Sequence, residues 1–168
     1  MSLQQATTFT LRAEGRYTPI DGGTMYGVTQ AVYDTYRESV GLPYQDVAAI
    51  RMSEVQSIMQ RDYWLPGACD KMPARLGIAH FDTAYNEGVE EAIKTLQHAL
   101  GIEVDGIFGP ETLHGVVAAE QINLLASYLN ARRNSYHEIV AANPSKEKFL
   151  QGWLNRVDAL EKYLGTIQ

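Results

Sequence analysis

The sequence predicts a mainly α fold: a helical lobe packed against a smaller helical subdomain, with a short hairpin at residues 20–28. Two observations carry this. Apolar residues recur three and four apart through most of the chain, and no sustained period-two segment competes with them. Capping residues, glycines and prolines fall between those stripes, where helices should start and stop. The 168 residues suit one compact body with a small appended subdomain. The one composition shift, the glycine-rich link at 101–109, divides the expectation into regions 1–100 and 101–168.

In chain order, Ser2 with Gln5 reads as a capping box, and a first helix runs to about Glu14 before Gly15 stops it. Residues 15–28 hold four glycines and Pro19 and read as an irregular loop. Thr29 caps a second helix that ends at Gly41, ahead of Pro43. Ser53 with Gln56 opens a third. Pro73 suits a first helical turn, and Leu76, Ala79, Phe81 and Ala84 form an apolar face up to Gly88. "VEEAIKTLQHAL" is the next helix, ended by Gly101, and Gly109-Pro110 starts another. Between them the turns at Asp105-Gly106 and Gly109-Pro110 set two helices together, with Ile107 and Phe108 expected to plug the gap. Ile122, Leu125, Leu129, Tyr136 and Ile139 mark a long helix as a core stripe; Phe149, Trp153, Val157, Leu160 and Leu164 mark the last.

Composition removes several classes of function. Apolar residues make up 45%, with no low-complexity tract, which fits an ordered globular chain. Fourteen basic against 20 acidic residues leave a net charge of −6. That balance argues against a sequence-independent grip on nucleic acid or an anionic membrane. Cys69 is alone, so no internal disulfide or cysteine metal cluster forms, and its expected role is a small core filler. His80, His98, His114 and His137 show no helix-face pairing, so no metal and no cofactor are expected. The start "MSLQQATTFTLRAEG" lacks the charged and apolar parts of a secretory signal, and no segment has the length of a membrane span. The expectation is synthesis in the cytoplasm without membrane insertion; work outside the cell would need another exit.

The stretch "AEGRYTPIDGGTMYGVTQ", residues 13–30, holds the candidate chemistry. Glycoside cleavage needs an acid for the leaving oxygen and a second group that acts as nucleophile or activates water. Glu14 falls at a helix carboxyl end, which carries partial negative charge, and a sequence built only for stability would prefer Lys or Arg there. Asp21 lies in a glycine-rich turn that can fold back towards it, and Thr24 and Tyr26 offer hydroxyls. The plain alternative is a solvated helix-terminal Glu followed by ordinary Asp-Gly-Gly turn chemistry.

These residues resemble a family. "EGRYTPIDGGTMYGVT" is similar to the amino-terminal motif of glycoside hydrolase family 108, whose members look like a helical lysozyme variant. The resemblance continues through the Tyr63-Trp64 element and the Phe-Asp-x-x-x-Asn-x-Gly element at 81–88. It ends in "LQHALGIEVDGIFGPETL", which is similar to the small helical repeat of peptidoglycan-binding modules. It spans about residues 8 to 165. The resemblance implies a lysozyme-like lobe and an N-acetylmuramidase that cleaves the glycan strand of bacterial peptidoglycan. It assigns Glu14 as catalytic acid and Asp21 with Thr24 as the groups that position water. Tyr17, Tyr26, Asp82 and Asn86 fall in family motifs as substrate-binding candidates. Asp82 and Asn86, four apart, share a helix face, which suits a sugar-binding edge or a buried hydrogen-bond pair.

The sequence departs from the family pattern at Arg16, where a second Gly is usual, and at Met25, where a polar residue is common. An Arg beside the acid either pairs with Glu14 and favours its ionised form, which works against acid catalysis, or points into solvent. Two other readings therefore stand beside the hydrolase: an inactive peptidoglycan-binding module, and a structural or secretion-associated protein on the same fold. A chain of this kind would reach the wall through a holin or a secretion system.

Overall fold

The computed structural model describes residues 2–14, 17–18 and 23–167, with only the backbone described at 17–18. The elements are α1 (Ser2–Glu14), β1 (Tyr17–Thr18), β2 (Thr24–Met25), β3 (Val28–Thr29), α2 (Gln30–Ser39), α3 (Met52–Met59), α4 (Ala74–Glu87), α5 (Val89–Leu100), α6 (Pro110–Ala118), α7 (Gln121–Ala142) and α8 (Glu147–Leu164). The fold is mainly α, as the periodicity predicts, and the small sheet falls where the glycine-rich loop predicts a hairpin.

Helix α4 is the axis of the molecule. Its residues Leu76 to Ala84 are buried without a break. A helix enclosed on every side over that stretch lies at the centre of the fold, and α1, α5, α7 and α8 all pack on this one. A single apolar core runs from Ala6 on α1 through Phe81 on α4 to Leu164 on α8. Both ends of the chain are therefore fastened to the same central rod.

The sheet is antiparallel, in the order β1-β2-β3. Met25 pairs with Val28, so Tyr26 and Gly27 alone form the connecting turn. A two-residue hairpin turn of this hand needs positive φ at both positions. Tyr26 has φ +56° and Gly27 +84°. Gly27 takes that conformation freely; Tyr26 must be held in it.

Local detail corrects several expectations. The start of α3 is two residues earlier than the Ser53 cap predicts, with Arg51 in the cap position. The Glu54 carboxylate accepts from the Arg51 backbone N–H at 3.0 Å and from Arg37 and the Tyr33 hydroxyl, each at 2.9 Å. That buried network fixes the helix start more firmly than a surface serine can. Ile107 is 65% exposed and plugs nothing, whereas Phe108 packs on the core. The Gln97 amide sets this turn: it donates to Asp105 Oδ1 at 2.6 Å and to the Ile107 carbonyl at 3.1 Å, and accepts from Gly106 N–H at 2.9 Å. Ile122 and Phe149 are exposed as well. Each sits in the first turn of its helix, before that helix reaches the core.

His80 is the least satisfied group in this core. It is fully buried, and neither ring nitrogen has a hydrogen-bond partner. Burial pushes its pKa down to about 4, outweighing an opposing pull from the Gly67 backbone. An unfolded histidine titrates near 6.5, so the unfolded chain binds the extra proton first as the solution is acidified. Stability is complete above about pH 6.5 and falls as the pH drops towards 4. Urea midpoints measured from pH 8 to 4 should show this decline, and His80→Leu should flatten it between pH 6.5 and 4.5.

Candidate active site

Glu14 is the last residue of α1, and its carboxylate lies beneath the tip of the β2–β3 hairpin. A methyl group built on Gly27 would lie 3.2 Å from Glu14 Oε2, 2.8 Å from Tyr85 Cε1 and 3.1 Å from Tyr85 Oη. Glycine at 27 thus serves two needs: the turn requires positive φ, and the site leaves no space for a side chain. The Tyr85 hydroxyl, from α4, donates to the Tyr26 carbonyl at 2.9 Å. That bond holds the turn down over the acid and helps to keep Tyr26 at its unusual φ. Tyr63, from the π-helical turn at Gln60–Trp64, meets Tyr85 edge-on with ring centroids 4.7 Å apart. Burial, with contributions from Asp62 and Glu14, raises the Tyr63 phenol; burial, then Tyr63 and Glu14, raises that of Tyr85. Both therefore stay neutral as donors at ordinary pH.

The other oxygen of the acid is held from the far end of the chain. Arg156 on α8 donates through Nη1 to Glu14 Oε1 at 2.7 Å. The same guanidinium donates through Nη2 to Asp82 Oδ1 at 2.8 Å and through Nε to Asp82 Oδ2 at 3.1 Å. Asp82 also accepts from Arg132 at 2.8 Å and from the Thr10 hydroxyl at 2.9 Å. Arg132 continues the chain to Glu87 at 2.9 Å and Tyr136 at 3.1 Å. Burial works to raise the Asp82 carboxyl, but Arg132 and Arg156 overcome it and hold Asp82 below the usual carboxylate range. Four helices, α1, α4, α7 and α8, thus meet in one buried polar network that ends at Glu14.

The residues named from sequence fall in three groups. Glu14, Thr24 and Tyr26 lie in the α1–hairpin region, with Thr24 half-buried on β2. Asn86 is exposed at the end of α4 and accepts from the Tyr136 hydroxyl at 3.4 Å. Asp82 exposes no surface, so a sugar-contacting role does not fit it. Its helix position faces the axis of the fold, and its lone pairs are spent on two arginines and a threonine. Asp21, Arg16 and the Tyr17 side chain lie outside the described residues. Cys69 is buried and its thiol is pushed up, chiefly by burial, as befits a filler. Among the described residues no group of three metal-ligating side chains occurs, and no helix is long and apolar enough to cross a membrane.

Residues 7–88 match the family described as Glycosyl hydrolase 108, and residues 91–158 match one described as Predicted Peptidoglycan domain. The amino-terminal region is thus similar to glycosyl hydrolase 108 proteins. A solved structure of SagA from Brucella abortus superposes with a TM-score of 0.78 at 26% identity, covering 97% of this chain and 94% of that one. No curated protein matches the sequence. Fold and family together support a peptidoglycan-related, lysozyme-like role.

Arg156 and Tyr85 are the site residues that sequence reasoning missed. Arg156 did leave a signal. It sits three residues after Trp153 and four before Leu160, so it interrupts the apolar stripe of α8. Arg132, between Leu129 and Tyr136, does the same on α7.

The buried network gives a direct test. Asp82→Ala removes the carboxylate that Arg132 and Arg156 share and leaves each with one carboxylate, Glu87 and Glu14; loss of one partner of a buried ion pair costs about 3–5 kcal/mol. Urea unfolding should register a loss of that size. Gly27→Ala should cost less, about 1 kcal/mol or more from the positive φ alone, and should displace Tyr85, visible as a change in near-ultraviolet circular dichroism.

Proposed function

We propose that this protein is a peptidoglycan hydrolase of the N-acetylmuramidase type, with Glu14 as its catalytic acid. The observation that carries the proposal is the setting of Glu14: Oε1 is anchored by Arg156, and Oε2 is turned towards the hairpin tip at Gly27. Oε2 is then the oxygen that carries the proton to the glycosidic oxygen as the bond to the leaving sugar breaks. Arg156 fixes the direction of transfer, since a carboxyl held at one oxygen can present only the other. Asp21, helped by Thr24, is assigned to orient the attacking water or to stabilise positive charge developing on the sugar ring. Tyr17, Tyr26 and Asn86 are assigned to contact the glycan. Residues 1–100 would supply the acid and hairpin, and 101–168 the helices that hold Arg156 and Arg132 in place. Action on the wall would follow release by a holin or a secretion system.

A second reading has one observation in its favour. The Glu14–Arg156 pair is also what a wall-binding relative would keep, as a tie between α1 and α8, after losing catalysis.

Reducing-end release from purified peptidoglycan separates the two. Wild type should release fragments ending in muramic acid, and Glu14→Gln should lose at least about a hundredfold in rate, the lower range for a general acid. Circular dichroism should remain unchanged. Equal rates in both proteins would remove Glu14 from the mechanism, and binding without release by either would establish the wall-binding reading.

A further inference from the structure

A groove of about 650 Å³ opens on the α1–α8 face, next to the Glu14 site. Its walls carry Arg12 from α1, Arg156 and Lys162 from α8, and the aromatic rings of Phe9, Trp153 and Tyr163. Among the described residues no aspartate or glutamate lines it, in a chain whose net charge is −6. Arg12 and Lys162 are exposed, and among the described residues no carboxylate pairs with either. The rings are fixed in place: Phe9 stacks on Tyr163 at 5.3 Å, and Trp153 stacks on Tyr136 at 5.2 Å. Tyr163 also donates to the Gln5 carbonyl at 3.0 Å, tying α8 to α1. This is a pre-formed trough with cationic rims and an apolar floor.

We propose that the groove binds the peptide stem of peptidoglycan, a short acidic peptide with small apolar side chains. The inference rests on the muramidase reading and extends it from the glycan to its substituent. Three cations, with no anion among the described lining residues, complement the carboxylates of a stem peptide, while the rings offer area to its methyl groups. Position supports the same occupant. Arg156 lines the groove and is 2.7 Å from Glu14, and the stem departs from the muramic acid sugar, the residue whose glycosidic bond the acid would cleave. A glycan in the site must send its peptide somewhere close to Glu14, and this is the cationic trough beside it. Lys162 and Arg12 carry the recognition; Arg156, already committed to Asp82 and Glu14, contributes field more than new bonds.

Binding of a free peptide tests this without any hydrolysis. The probe is N-acetyl-L-Ala-γ-D-Glu-meso-diaminopimelyl-D-Ala, titrated calorimetrically into the full chain at low and at 0.5 M salt, beside the same peptide with every carboxyl amidated. Wild type should bind the acidic form at least tenfold more tightly than the amidated form, and salt should weaken it. The double variant Arg12→Glu/Lys162→Glu should lose tenfold or more, as should Ala159→Glu, which places a carboxylate in the groove without touching the core. Circular dichroism of each variant should match wild type. No binding by wild type, equal affinity for the amidated peptide, or undiminished binding by folded variants would overturn the proposal. A separate arm uses peptide-free glycan. Peptide binding without glycan cleavage would sink the hydrolase reading and leave the groove standing, and cleavage without peptide binding would do the reverse.

Discussion

The buried carboxylate of Asp82 is the constraint on which the rest of this structure depends. A charge with no exposed surface is tolerable only if it is neutralised and fully hydrogen-bonded, and Asp82 meets that condition by drawing in Arg132 from α7, Arg156 from α8 and Thr10 from α1. Each partner comes from a different helix, so satisfying one carboxylate fixes the azimuth of three helices around α4. Apolar packing alone would hold these helices together but would tolerate sliding and rotation by small amounts. An ion-pair network has discrete geometry and does not.

That rigidity reaches the surface at one place. Arg156 divides its donors between Asp82 below and Glu14 above, so the position of Glu14 follows from the position of Asp82. The acid is at the end of a helix, where a side chain would otherwise fray with its last turn. The second support comes from the hairpin side, where Tyr85 pins the Tyr26 carbonyl and Gly27 comes close to Oε2. Both supports originate on α4, at Asp82 and Tyr85, three residues apart and so on neighbouring parts of one helix face. The most buried helix of the fold therefore sets both the floor and the roof of the site. A site supported in this way has little freedom to rearrange, which suits chemistry that requires a proton donor to meet one oxygen of an extended substrate.

How much of this is legible in the sequence differs sharply between local and non-local features. Helix α1 ends at Glu14, α2 is capped by Thr29, and turns fall at Gly101 and Asp105-Gly106, because caps and breakers act within a few residues of themselves. The glycine-rich stretch reads correctly as a hairpin for the same reason. What periodicity cannot supply is which polar residue on one helix meets which on another. Arg156 is 142 positions from Glu14 and 74 from Asp82, and no local rule links them. The sequence puts Arg16 next to the acid, either paired with it or pointing into solvent; the arginine that the described residues place on Glu14 is Arg156. Asp82 shows the same limit. Its four-residue spacing from Asn86 identifies a shared face but not whether that face looks into solvent or into the core, and here the helix turns Asp82 inwards while its end carries Asn86 out.

The arginines on α7 and α8 sharpen that lesson. An arginine within an apolar stripe is expensive unless a carboxylate waits for it, so two such arginines on different helices imply at least one buried acid between them. Asp82 and Glu87 on α4 are the carboxylates that meet them. The same reasoning explains why the network is asymmetric. Arg132 is wholly enclosed and serves only structure, whereas Arg156 is partly open to solvent and touches an acid that is open as well. A charge pair at the boundary between core and cleft can be kept for geometry by the core and used for chemistry by the cleft. In this fold the boundary runs through a single guanidinium, and the aromatic trough with Arg12 and Lys162 lies on its outer side. The scaffold that orients the acid thus also forms one wall of the adjoining groove. Catalytic geometry and recognition of what the glycan carries would then share one support, rather than being built separately.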